Sequence, residues 1–191
     1  MKSSAVFLDR DGTLVEERGH ISSIKQVKFI RGAFAALRKL RKLGFKLVIV
    51  SNQSGVARGI LTEAQVRKVN QYILSELEKR GLRMDGLYYC PHHPKRGNGS
   101  FTRKCSCRKP SDGMIQKARK RLNVDTHKSY VMGDKLTDIE MGRKVKSKTI
   151  LVLTGFGREE LARQKGRFGK PDKSAKDIAD AVKWIARDFK K

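Results

Sequence analysis

Acidic residues are scarce in this chain. There are 19 Asp and Glu against 44 Lys and Arg, a net charge of +25 over 191 residues. Long apolar runs are missing altogether. No stretch approaches the roughly 18 apolar residues of a membrane span, and hydrophobic content is 38%, so a membrane-spanning chain is excluded. Cysteine is limited to Cys90, Cys105 and Cys107. An odd number crowded into one stretch is a poor disulfide framework and points to metal ligation instead. Aromatics are 7% of residues and few lie among the basic clusters such as Arg38-Lys39 and Arg41-Lys42. The charge leaves a nucleic-acid partner open, but no nucleic-acid motif accompanies it. The favoured reading is a lysine-rich solvated surface around a site for an anionic substrate. The N-terminus shows no cleavage-site pattern, and a cytoplasmic location is the expectation.

What is present is a regular alternation of strand and helix signals. Residues 4–8 read as a first strand. Residues 32–43 carry Ala33, Phe34, Leu37, Leu40 and Leu43 at helical spacing, stopped by Gly44. FKLVIV at 45–50 suits a strand buried on both faces. Thr62 and Gln65 form a capping-box signature before a helix bearing Val66, Val69, Ile73 and Leu77. Further strands are expected at 86–90, 129–132 and 149–153. Further helices are expected at 112–122, 136–145 and from Lys176 onward. This pattern predicts an α/β fold over residues 1–191, with a mostly parallel sheet flanked by helices. Residues 163–176 are expected to be a mobile connector.

In a chain so poor in acid, the first strand nevertheless ends in two carboxylates, Asp9 and Asp11. Open sheets of this class bind ligands beyond the carboxyl ends of their strands, and polar residues stand at each predicted end. Ser51, Asn52 and Gln53 follow the second strand, a Cys/His loop follows the third, and Gly133, Asp134, Lys135 and Asp138 follow the fourth. Neighbouring carboxylates repel unless a cation or shared proton intervenes, and an oxygen-rich set suits Mg²⁺. A carboxylate can attack phosphorus to form an aspartyl-phosphate, and its neighbour can pass protons. Ser51 as a neutral donor and Lys109 as a cation are candidates to meet the phosphoryl oxygens. Lys135 is placed to meet the rest of the substrate.

The loop CPHHPKRGNGSFTRKCSC holds a C-x-H pair, Cys90 and His92, and a C-x-C pair, Cys105 and Cys107. Three thiolates and an imidazole match a closed, structural Zn²⁺ site, with His93 as the alternative imidazole. Such an ion would fold a loop poor in apolar residues and steady Arg108 and Lys109 just beyond it.

The ordered set DRDGTL, SNQSG, RKP and GDKLTD resembles the haloacid dehalogenase superfamily of aspartate-nucleophile phosphatases, from about Ala5 to about Thr154. That resemblance implies a Rossmann-like sheet. It makes Asp9 the nucleophile and a Mg²⁺ ligand, and Asp11 the general acid/base with its backbone carbonyl on the metal. Ser51 and Lys109 would hold the phosphoryl group. Asp134 would bind Mg²⁺, with Asp138 behind it. YYCPHHP, CxCRKP, SNQSGVARG and GDKxxD further resemble the D-glycero-D-manno-heptose 1,7-bisphosphate 7-phosphatases, which are single-domain, zinc-bearing and without a large cap. Their product feeds nucleotide-activated heptose for lipopolysaccharide or related glycans. On that resemblance the substrate contacts are Glu17, Arg18, Gly19, His20, Ser51, Asn52, Gln53, Ser54, Arg108, Lys109 and Lys135. A bisphosphate needs a second cationic patch, for which Arg58, Arg108 and Lys135 are available. His20 departs from the Tyr that relatives commonly carry. The expected partner is a small phosphorylated sugar bound by a monomer. Histidinol-phosphate phosphatase is the nearest rival, though Ser54 and Lys135 lean away from it. A DNA 3′-phosphatase or nucleic-acid-binding protein is the rival of another class.

Overall fold

The computed structural model describes residues 2–97, 99–163 and 170–190. Among these residues, six strands form one sheet in the order β3-β2-β1-β4-β5-β6, every pair parallel. The strands are β1 (Ala5–Leu8), β2 (Lys46–Asn52), β3 (Gly86–Cys90), β4 (Tyr130–Gly133), β5 (Lys148–Val152) and β6 (Lys173–Ala175). The helices are α1 (Ala33–Lys42), α2 (Glu63–Glu78), α3 (Gly113–Leu122), α4 (Leu136–Lys144), α5 (Gly157–Ala162) and α6 (Ile178–Asp188).

The apolar runs are strands because both sheet faces are covered. Side chains alternate between faces along a strand. Val6 and Leu8 of β1, with Leu47 and Ile49 of β2, enter a core shared with α1, α2 and α6. Ala5, Phe7, Val48 and Val50 enter a second core shared with α3 and α4. α6 shows why its sequence forms a helix. The Asp177 carboxylate caps Asp180 N–H, and Ile178, Ala181, Val182 and Ile185 make one buried stripe. Each of its larger apolar side chains contributes roughly 2 kcal/mol on burial. The Thr62/Gln65 capping box that opens α2 is formed in both directions.

Two elements differ from expectation. β6 occupies Lys173–Ala175, within the stretch read as a connector; residues 164–169 of that stretch lie outside those described. α5 fills Gly157–Ala162, where no helix was expected. No large cap interrupts the described residues, and the Cys/His loop spans 91–112 between β3 and α3. No described helix is long and apolar enough to cross a membrane.

The strand order sets the position of the site. After β3 the chain crosses back so that β4 pairs with β1 on its other side. This reversal opens a crevice at the carboxyl ends of β1 and β4, where Asp9 and Asp134 begin their loops.

Candidate active site

Asp9 stands directly beyond β1, and its backbone N–H still donates to the Met132 carbonyl at 2.9 Å. This ladder bond fixes it beside β4. Asp9, Asp134 and Asp138 offer carboxylate oxygens that all lie within 4.8 Å of one another, and all three residues are buried. Lys109 enters this cluster from the loop before α3. Its Nζ lies 2.9 Å from Asp9 Oδ1 and 2.7 Å from Asp138 Oδ1, and donates to the Val50 carbonyl at 3.1 Å. Burial alone would lower the lysine pKa, but Asp138 and Asp9 more than offset it and raise the value. Lys109 is therefore held charged in the interior.

The lysine backbone is positioned by Asn52. Asn52 Oδ1 accepts from Lys109 N–H at 3.0 Å, and Asn52 Nδ2 donates to the Lys109 carbonyl at 3.2 Å. Asn52, expected to touch substrate, is thus engaged with its neighbour, although it also lines the cavity. Ser51 Oγ accepts from Gln53 Nε2 at 2.9 Å.

Asp134 is cradled by glycine. A Cβ on Gly12 (φ +77°) would sit 2.1 Å from Asp134 Oδ2, and one on Gly155 (φ +54°) 2.2 Å from it. Only glycine combines that backbone conformation with that approach. Asp134 Oδ2 accepts from Phe156 N–H at 2.9 Å, whereas the buried Oδ1 has no partner. Burial and the nearby Asp9 carboxylate push Asp134 up to about 8. Asp138 is engaged differently. Its Oδ2 accepts from Lys135 N–H at 3.2 Å and its Oδ1 faces Lys109. Burial pushes it up to about 6, against the lowering effect of Lys109. Asp134 therefore carries the carboxylate left open for a cation, and Asp138 supports the lysine.

Above these acids lies a cavity of about 450 Å³. Its walls include Asp9, Asp11, Glu17, Gly19, His20, Ser51 to Ser54, Arg58, Arg108, Lys109 and Lys135, together with Thr137, Phe156, Glu160 and Arg163. Arg18 is absent from that wall; its guanidinium pairs with Glu16 at 2.9 Å near the surface. Lys135 Nζ is steered by Glu17, 3.4 Å away, and by the Phe156 ring, 4.5 Å from its centroid. His20 packs beside Gly55, where a Cβ would meet its Nδ1 at 3.0 Å. Sequence reading did not single out Phe156, Glu160, Thr137 or Arg163. Thr137 sits within GDKLTD, and the glycines flanking Phe156 were the local signal for that residue.

The cysteine–histidine loop closes as a second cluster. Cys90, His92, Cys105 and Cys107 offer ligand atoms within 4.8 Å of one another. The Cys107 sulfur lies 3.1 Å from that of Cys90 and 3.3 Å from that of Cys105, and His92 Nδ1 lies 3.3 Å from Cys107 Sγ. Tetrahedral zinc with bonds of about 2.3 Å sets ligand edges of about 3.8 Å, so small outward shifts would admit the ion. Burial raises the Cys90 thiol well above its ordinary value, a bias against the thiolate that a bound cation would have to overcome. His93 is used otherwise: its Nδ1 accepts from the backbone N–H groups of Lys95 and Arg96. Arg108 joins the two sites, donating to the His92 carbonyl at 3.1 Å while lining the cavity.

Known proteins resemble this chain in sequence and fold. A family model described as HAD-hyrolase-like matches residues 106–181. The D-glycero-beta-D-manno-heptose-1,7-bisphosphate 7-phosphatase of Pasteurella multocida (strain Pm70) is 45% identical over 182 residues, covering 95% of this chain and 96% of that relative. The chain belongs to this heptose-bisphosphate phosphatase family, within the haloacid dehalogenase superfamily. The Escherichia coli (strain K12) member of the family is 45% identical over 152 residues, covering 79% of this chain and 80% of that relative. Among solved structures, the D,D-heptose 1.7-bisphosphate phosphatase from B. bronchiseptica, complexed with magnesium and phosphate, superposes with a TM-score of 0.84. It shares 27% identity, covering 97% of this chain and 99% of that one.

Proposed function

We propose that this chain removes the 7-phosphate of D-glycero-D-manno-heptose 1,7-bisphosphate, working as a cytoplasmic monomer in the supply of nucleotide-activated heptose. The observation that carries the chemistry is the meeting of Asp9, Asp134 and Lys109 across the β1/β4 crevice. The substrate follows from the family and from a cavity that carries, besides Lys109, the basic side chains Arg58, Arg108 and Lys135, which can receive a second phosphate.

Asp9 Oδ1 is engaged by Arg10 N–H at 2.7 Å and by Lys109, so Oδ2 is the oxygen we assign to attack phosphorus. The phosphorus–oxygen bond to the sugar breaks, and Asp11 gives a proton to the departing oxygen. Water then attacks the aspartyl-phosphate, Asp11 takes its proton, and Asp9 is restored. Lys109 and Ser51 steady the phosphoryl oxygens through both steps. The cluster fits Mg²⁺, because the buried Asp134 Oδ1 lacks a partner and three buried carboxylates crowd within 4.8 Å of one another. Asp9, Asp134 and the Asp11 carbonyl would hold the ion, which supplies charge neutralisation at the phosphoryl group. Cys90, His92, Cys105 and Cys107 would hold Zn²⁺ as a structural crosslink.

A phosphate-release screen tests this reading. Heptose 1,7-bisphosphate, histidinol phosphate and 3′-phosphorylated DNA are compared at equal concentration with Mg²⁺. Preferred turnover of the heptose substrate is expected, together with loss of more than about a thousandfold in Asp9→Asn. Preference for histidinol phosphate or for DNA ends overturns the substrate assignment, and an active Asp9→Asn protein overturns the nucleophile.

A further inference from the structure

Arg10, between the two strand-end acids, is among the largest fully buried side chains, at 1% exposure. An arginine so placed needs its donors satisfied. Its Nε donates to Asp11 Oδ1 at 3.0 Å and its Nη2 to Asp11 Oδ2 at 2.8 Å. Its Nη1 donates to Asn70 Oδ1 on α2 at 2.7 Å. Gln53 Nε2 adds a further bond to Asp11 Oδ2 at 2.8 Å.

A carboxylate has about four lone-pair sites, two on each oxygen. Arg10 and Gln53 together occupy both sites on Oδ2, and Arg10 occupies one on Oδ1. A single site on Oδ1 stays open. Asn70 holds the guanidinium that enforces this. Asn70 is 5% exposed, and its Nδ2 is buried without a partner. Half of its amide is thus left unsatisfied, at a cost in stability, while the other half anchors Arg10.

We infer that Arg10, anchored by Asn70, is a positioning residue that presents one oxygen of Asp11, Oδ1, for proton transfer to the sugar oxygen. The inference rests on the assignment of Asp11 as the proton donor made above. Neither Arg10 nor Asn70 lines the cavity; both act through the hold on Asp11.

The test separates leaving groups. Phosphoenzyme formation is measured by rapid quench with the Mg²⁺-loaded protein, using the sugar phosphate and p-nitrophenyl phosphate. The nitrophenolate leaves without a proton, whereas a sugar alkoxide needs one. The variants are Asp11→Asn, Arg10→Lys, which keeps charge but loses the fork, and Asn70→Ala, which leaves Arg10 in place. With the sugar phosphate, Asp11→Asn falls about 10²- to 10⁴-fold, and Arg10→Lys and Asn70→Ala fall about tenfold or more. With p-nitrophenyl phosphate all three stay within about threefold of the parent in this step. Equal losses on both substrates in Arg10→Lys and Asn70→Ala mean a purely structural role and overturn the inference. Parent-like rates in both, beside a clear split in Asp11→Asn, also overturn it while leaving Asp11 as the acid. No split in Asp11→Asn overturns the acid assignment itself, and the inference with it. If Arg10→Lys fails to fold, Asn70→Ala carries the test alone.

Discussion

Lys109 Nζ lies 2.7 Å from Asp138 Oδ1, with the lysine side chain 2% exposed and the aspartate side chain 0%. A pair this deep is strongly coupled, because removing one partner strands the other charge in the interior.

Lys109→Met should therefore lower unfolding free energy by about 3–5 kcal/mol and abolish turnover. The double variant Lys109→Met/Asp138→Asn should recover part of the stability and none of the activity. Urea denaturation of both proteins checks this. A single variant as stable as the parent would show that the pair does not bear on the fold.

The acids predict a pH dependence with a definite sign. Asp134 is pushed from its ordinary 3.8 up to about 8, first by burial and then by Asp9, and Asp138 up to about 6, chiefly by burial. Between pH 4 and 8 the folded protein then binds more protons at these positions than the unfolded chain. Their contribution to stability accordingly falls as pH rises through that window. Chelator-treated protein should lose stability from these groups between pH 5 and 8. A divalent ion that favours the charged carboxylates should raise the melting temperature more at pH 8 than at pH 5. Thermal scans with EDTA and with Mg²⁺ provide the comparison, and an Mg²⁺ effect larger at low pH contradicts it.

Cys105→Ser removes one of four clustered donors. Lower zinc content by elemental analysis is expected, with a melting temperature lower by about 5–10 °C. Activity should fall too, since Arg108 depends on the His92 carbonyl for its place. Parent protein free of zinc, with unchanged melting of the variant, removes the metal from this loop.

Gly155→Ala should be costly despite its small size. The added carbon would stand 2.2 Å from Asp134 Oδ2, at a φ of +54°. A loss of about 1–3 kcal/mol is expected. Asp134 should be displaced, so calorimetry with Mg²⁺ should show weaker binding than in the parent. Undiminished Mg²⁺ affinity would mean that the cradle does not set Asp134.

Much of this was legible in the residues, for identifiable reasons. β1 and β2 are unbroken apolar runs because both faces are covered, and α2 announces itself through Thr62 and Gln65. β6 was not legible, since Lys-Ser-Ala carries no pattern and is a strand only because β5 offers an edge. α5 spans six residues, too few for a helical period to show. Asp9 and Asp134 stood at strand ends, and Lys109 in the loop before α3, in motif order. By contrast, Arg10 finds Asn70 sixty positions away, and no local rule pairs them. The C-x-H pairing favoured His92 over His93, and His92 is the imidazole that lies with the three sulfurs.

The crossover from β3 back to β4 has a consequence during synthesis. The thiol and imidazole donors lie between positions 90 and 107, so they can gather early on a growing chain. Asp9, made almost at the start, must wait for Asp134 and for the Gly155 turn that seats it. An emerging polypeptide can thus finish its cysteine knuckle well before it is able to trap a phosphate.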